Sequence, residues 1–168
     1  MKDITNYMKI TIISVGKIKE AFYRDAIAEY SKRLSAYCQL KIIEVADEKT
    51  PEKASEEEKK RILDKEGLRI LKALEAEGKV YPIALAIDGK QYDSVDFADH
   101  LEKLAVSGNG HIVFIIGGSL GLGEEVYQTA KEKISFSKLT FPHQLMRVVL
   151  LEQIYRGFRI INHEPYHK

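Results

Sequence analysis

Between Leu145 and Leu151 the chain reads Leu-Met-Arg-Val-Val-Leu-Leu, and Arg147 is the one polar side chain in the run. A helix through that stretch keeps no face for water, and a helix apolar on every side must be buried on every side. In a chain of 168 residues, a second copy is the usual cover for a helix so near the C-terminus. The run therefore predicts a homodimer. Arg147 itself needs a partner: either a ligand phosphate, or a buried carboxylate or carbonyl across the dimer.

Upstream, strand and helix patterns alternate. Lys9 to Val15 is β-branched and ends at Gly16, as a buried strand does. Phe22, Ala26, Tyr30, Leu34 and Tyr37 follow at helical spacing, and Leu40 to Val45 predicts a second strand. The polar stretch Ala46 to Ala54 holds Pro51 and predicts a loop. Ser55 and Glu58 form a capping box for a helix with Leu63, Gly67, Leu71 and Leu74 inward, closed by Gly78. Pro82 puts the third strand at Ile83 to Ile87, with a turn at Asp88-Gly89. Ser94 then caps a helix with Phe97, Leu101 and Leu104 inward. His111 to Ile116 predicts a central strand, Glu124 to Glu132 a short helix, Ile134 to Leu139 a fifth strand, and His143 to Ile160 the last helix.

That alternation implies one α/β domain, a mainly parallel sheet with helices on both faces. The chain is long enough to bury a core without disulfide or metal staples, and no metal is expected. Apolar runs such as Ile112 to Ile116 fall far short of the roughly 20 residues of a spanning helix. No basic-then-apolar leader opens the sequence, and the single Cys38 cannot close an intrachain disulfide. Both features fit a cytoplasmic address.

In such a sheet, ligands bind beyond the carboxyl ends of the strands. Three segments end there: Leu85 to Gly89, Ile116 to Ser119, and Phe136 to His143. The glycine-rich run from Gly117 to Gly123 matches neither G-x-G-x-x-G nor the Walker pattern. No acidic residue stands about 20 positions on to hold a ribose, which argues against a dinucleotide enzyme. Residues 131–168 hold seven Lys and Arg against three Glu, a local positive excess that fits either a phosphate-facing surface or a solvated face.

Phe136-Ser137-Lys138-Leu139-Thr140-Phe141-Pro142-His143, then Arg147-Val148 and Pro165-Tyr166-His167-Lys168, closely resemble the bacterial ribosomal RNA large subunit methyltransferase H family, a minimal branch of the SPOUT methyltransferases. The resemblance extends to Lys9-Ile10-Thr11-Ile12, Val15-Gly16-Lys17, Arg61 to Gly67 and Ile116-Gly117-Gly118. It covers a single domain from residue 8 to residue 168 and leaves residues 1–7 as an N-terminal extension. It implies a homodimer whose C-terminal part is threaded as a trefoil knot, which chain physics alone would not suggest. The implied reaction carries a methyl group from S-adenosylmethionine to N3 of a pseudouridine in 23S rRNA, in the helix 69 region of the assembled ribosome.

By the same correspondence Leu85, Gly117, Phe136, Ser137, Lys138, Leu139, Thr140 and Phe141 line the cofactor site. Arg147, Tyr166 and Lys168 fall on the RNA side. The acceptor nitrogen must shed a proton, and a histidine titrates in the right range to take it; His143 and His167 are the candidates. His143 has a second reading, as part of the first helical turn after Pro142, and positioning alone is a third route to catalysis. Tyr166 and Lys168 read either as a frayed end or as a stacking and phosphate contact. Gly157, inside the last helix, predicts close approach of a partner backbone. The alternative of another class is a non-catalytic ribosome-associated nucleotide-binding protein.

Overall fold

The computed structural model describes residues 8–168; the extension expected at residues 1–7 lies outside them. Ten elements follow in order: β1 (Lys9–Val15), α1 (Ala21–Leu34), β2 (Gln39–Val45), α2 (Glu56–Ala76), β3 (Tyr81–Gln91), α3 (Ser94–Val106), β4 (His111–Ile116), α4 (Glu124–Thr129), β5 (Glu132–Ser135) and α5 (His143–Ile161). The five strands form one sheet in the order β2-β1-β4-β3-β5, and every pairing is parallel. Strand periodicity sorts the core into two layers. Ile10, Ile12, Ile112, Phe114 and Ile116 face α1, α3 and α5, while Ile13, Val15, Val113 and Ile115 face α2 and α4. Each inner strand is therefore apolar on both sides, the condition for a parallel sheet covered on both faces.

The last helix is sheltered mainly by its own chain. Arg147, Leu150, Leu151, Ile154, Gly157 and Phe158 form its buried stripe, against the sheet and between α1 and α3. Gly157 admits α3 rather than a partner subunit: a β-carbon there would stand 3.3 Å from Leu101 Cδ1 and 3.7 Å from Ala98 Cα. The rest of α5, including Leu145, Met146, Val148 and Val149, stays half-buried.

Several boundaries differ from the sequence reading, each for a local reason. Phe22 points outward, 65% exposed. The inner stripe of α2 is Ile62, Glu66, Gly67, Ile70 and Leu74, one position from the predicted Leu63 at its start. Ser55 does cap α2, accepting from Glu58 N. The cap of α3 is Asp93, whose side chain accepts from Asp96 N, and Ser94 instead donates its hydroxyl to Gln153 Oε1 at 2.9 Å. Asp88-Gly89 is no turn but part of a bulge inside β3, because Leu85 and Lys90 both pair with Ile134. A side chain at Gly89 would press on the Ile134 backbone at 2.7–2.8 Å, so only glycine lets β5 close against the bulge. The fifth strand stops at Ser135, since Ser135 Oγ donates to Ser137 O and Leu139 N donates to Ser137 Oγ, both at 3.0 Å. Such local bonds compete with a strand ladder.

Candidate active site

A cleft of about 960 Å³ opens at the carboxyl ends of β3, β4 and β5. Three chain segments wall it: the β3 bulge from Leu85 to Asp88, the glycine turn from Gly117 to Gly121, and the stretch from Ser135 to His143. Tyr127, Gln144 and Met146 add to the lining. The glycine turn is built on its own backbone. Gly121 N donates to Gly118 O at 3.0 Å, and Gly121 takes φ +79°, a left-handed conformation that suits glycine. A β-carbon on Gly117 would overlap the Gly121 carbonyl. Gly117 is thus demanded by the turn itself, before any ligand is considered.

Of the residues expected around a cofactor, Leu85, Gly117, Phe136, Ser137, Leu139, Thr140 and Phe141 meet in this cleft. Lys138 does not line it and is exposed. Phe136 is anchored edge-on against Phe97, ring centroids 5.9 Å apart, whereas Leu139 stands 71% exposed at the lip. Asp88, within the Leu85 to Gly89 segment expected at a strand's carboxyl end but given no role of its own there, sits on the wall and pairs with Lys133 at 2.9 Å. That lysine holds its carboxyl below the usual range.

His143 lines the same cleft. Burial pushes its pKa down first, and the Arg147 guanidinium adds to that, against the opposing charges of Asp47 and Glu20. A neutral imidazole near pH 7 is what a proton acceptor requires. His167 lies apart, in a neighbouring cleft with Gln153 and Val149 that shares Phe136 and Phe141 as its wall. Its Nδ1 accepts from Arg156 Nη1 at 3.2 Å. Within one chain the two histidines do not meet.

Arg147 is a framework residue, 3% exposed, which corrects its placement on the RNA side. It donates to Glu44 Oε2 at 2.6 Å, Val15 O at 3.0 Å and Gly16 O at 2.7 Å, tying α5 to the end of β1. Those partners belong to the same chain, not to a second copy. The tail is docked rather than frayed. Tyr166 donates to Glu152 Oε1 at 3.1 Å and sets its ring against Tyr155 at 4.9 Å. Burial, then Glu152, pushes the Tyr166 hydroxyl up to about 12. Lys168 is exposed. Lys133, Arg147, Arg156 and Arg159 each hold a carboxylate, but only Asp88 and Glu44 come from outside the C-terminal segment, so about half of its positive excess is offset.

The loop from Ala46 to Thr50 runs beside this site on unexpected fastenings. Arg69 donates to Ala46 O at 3.0 Å and pairs with Glu48 at 2.8 Å. Thr50 Oγ1 and Ser119 Oγ are 3.2 Å apart. Glu66, 4% exposed, accepts from Glu48 N at 2.9 Å and lies beneath Gly118, where a β-carbon would come 3.5 Å from both its oxygens. Burial pushes the Glu66 carboxyl up. The sequence carried no signal for this, because Glu66 reads as one more charged helix residue.

A parallel sheet with a glycine-turned cleft at its carboxyl edge, closed by the segment entering the last helix, defines the class: the family model described as "Predicted SPOUT methyltransferase" matches residues 8–167. The crystal structure of a "Probable Methyltransferase" from Bordetella pertussis Tohama I shares the fold at TM-score 0.55 and 12% identity, over 90% of this chain and 97% of that one. Full-length relatives are closer. Ribosomal RNA large subunit methyltransferase H of Clostridium beijerinckii is 58% identical over 96% of this chain and 100% of its own; that of Bacillus pumilus is 56% identical over the same shares. The chain belongs to the ribosomal RNA large subunit methyltransferase H family. Among the described residues no helix is long and apolar enough to cross a membrane, and no group of three or more His, Cys, Asp and Glu is placed to hold a metal.

Proposed function

We propose that the protein transfers a methyl group from S-adenosylmethionine to N3 of a pseudouridine in 23S rRNA, in the helix 69 region of the assembled cytoplasmic ribosome. One observation carries the reading: the cleft joins a glycine backbone turn, an apolar wall and a half-buried histidine in a single cavity. Its volume of about 960 Å³ lies near the top of the usual range for small-molecule sites, roughly 300–1,000 Å³. Leu85, Phe136 and Phe141 offer apolar surface for an adenine, and the backbone of Gly117 to Gly121 and of Leu139 to Phe141 offers donors and acceptors for a ribose. When bound there, S-adenosylmethionine supplies an electrophilic methyl carbon and retains the carbon–sulfur electron pair as a thioether.

The chain's own task is alignment, exclusion of water and handling of one proton. The N3–H proton of the pseudouridine passes to the imidazole of His143, which burial keeps neutral, and the nitrogen lone pair is freed for the new N–C bond. Tyr166, His167 and Lys168 are proposed to meet RNA. The half-buried apolar side chains of α5, Leu145, Met146, Val148 and Val149, support a homodimer, in which a tail would reach the cleft of the second copy. The trefoil threading of the family is proposed for residues 117–161.

Mass spectrometry of 23S rRNA from a strain lacking the gene tests the reaction. We expect loss of one methylated pseudouridine, restored by the intact protein; an unchanged modification profile would sink the reading. Calorimetry should detect S-adenosylmethionine and its demethylated product, which a regulator of another class need not bind.

A further inference from the structure

Gly16 follows β1 with φ +89°, and two side chains approach the point where its own β-carbon would stand. Asp47 Cβ and Cγ lie 3.8 Å from that point, and His143 Nε2 lies 4.0 Å from it. Both groups therefore border one small gap, which a side chain at residue 16 would fill. The gap is held from both ends. Arg147, one turn beyond His143, grips the Val15 and Gly16 carbonyls, so the start of α5 is fixed against the end of β1. On the other side, Arg69 holds Ala46 O and Glu66 holds Glu48 N, the two backbone positions that bracket Asp47. Asp47 itself is exposed, and among the described residues it forms no ion pair within 4.0 Å. A loop fastened at the residues before and after an uncommitted carboxylate presents that carboxylate.

We propose that Asp47 is the positioning residue for His143, its carboxylate facing the Nε2 side of the imidazole across Gly16 and leaving Nδ1 to accept the proton of the bound base. The inference rests on the methyl-transfer reading above. The charged groups facing His143 come from each neighbouring segment: Glu20 before α1, Asp47 after β2, and Arg147 on α5. Arg147 opposes protonation of the ring while Asp47 and Glu20 favour it. Asp47 thus stabilises the imidazolium that forms as the proton arrives, the service an acidic partner renders to a histidine base.

The test uses the full-length protein with intact ribosomes that lack the modification, comparing Asp47→Asn and Asp47→Glu with the parent. Two readouts are taken: the pH profile of kcat, and the titration of His143 followed by NMR of its labelled ring. For Asp47→Asn we expect kcat to fall about tenfold, a fraction of what general-base catalysis contributes. KM for S-adenosylmethionine should stay within about twofold, as uniform binding is untouched. The acid limb and the ring titration should move together to lower pH, because a group favouring the charged form is gone. Asp47→Glu should restore most of the rate. An unchanged His143 titration, or a loss confined to KM, overturns the proposal. If the parent itself transfers no methyl group while the ring titration still depends on Asp47, the reaction is wrong and the pairing stands.

Discussion

Single residues in this protein do work that their chemical type conceals. Gly117 looks in sequence like a place for a ligand to approach, yet its neighbour across the gap is the Gly121 carbonyl. Gly117→Ala should cost about 3 kcal/mol in chemical denaturation, the upper part of the range for overpacking. Loss of activity in such a variant reports the turn, not the ligand. Arg147 was legible as a polar residue that had to find a partner; which partner was not legible, because Glu44, Val15 and Gly16 are over 100 positions away in the chain. Arg147→Ala should destabilise by roughly 1–3 kcal/mol, because it strands the Val15 and Gly16 carbonyls, whereas Glu44 is exposed and can turn to water.

Protonation acts at the same scale. His111 and His143 are both held below the ordinary imidazole value of 6.5, in each case chiefly by burial. Between those lowered values and 6.5 the unfolded chain binds more protons, so stability falls as pH drops below about 6.5. Asparagine at either position should flatten that acid-side loss in thermal melts taken across pH. Glu66 works in the opposite sense. Its raised carboxyl pKa makes the folded state pay for ionisation, so Glu66→Gln should gain stability at neutral pH, a gain that fades as pH falls toward 4.5.

Elements were the most legible level, and for a clear reason. Continuous β-branched runs such as Lys9–Val15 and His111–Ile116 have no reading but a strand apolar on both faces. The capping box at Ser55 marked its helix to the residue. Where the reading failed, one signal had two uses. Asp88-Gly89 is a turn dipeptide that here forms a bulge, and that bulge carries one wall of the cleft. Gly89→Ala should therefore separate β5 from β3, lower the midpoint of unfolding, and weaken S-adenosylmethionine binding in calorimetry, although residue 89 does not line the cavity. The short fifth strand was overlong in sequence because Ile134-Ser135-Phe136-Ser137 alternates as a strand would, while the Ser137 hydroxyl accepts from Leu139 N and bends the chain away.

For the whole molecule, the alternation of elements specified the two-layered parallel sheet and the three strand ends that wall the cleft, while resemblance supplied the ligand expected there. Charge misled most. Of the seven C-terminal cations, four are engaged with carboxylates, and Lys131, Lys138 and Lys168 remain for a polyanion. Lys138→Ala and Lys168→Ala should each reduce the slope of log K against log salt for RNA binding by about one, whereas Arg147→Ala should leave that slope alone.

The sheet order also carries a consequence for how the molecule is made. Strand β1 pairs with β2, thirty positions on, but also with β4, whose partner to Lys9 is His111. A chain growing out of the ribosome can assemble β1, α1 and β2 early, while the central position beside them waits for a far later segment, and closing so wide a contact is slow. The candidate cavity, drawn from β3, β4 and the approach to α5, is completed only after those later segments join, so a chain that has folded no further than β2 holds no binding site.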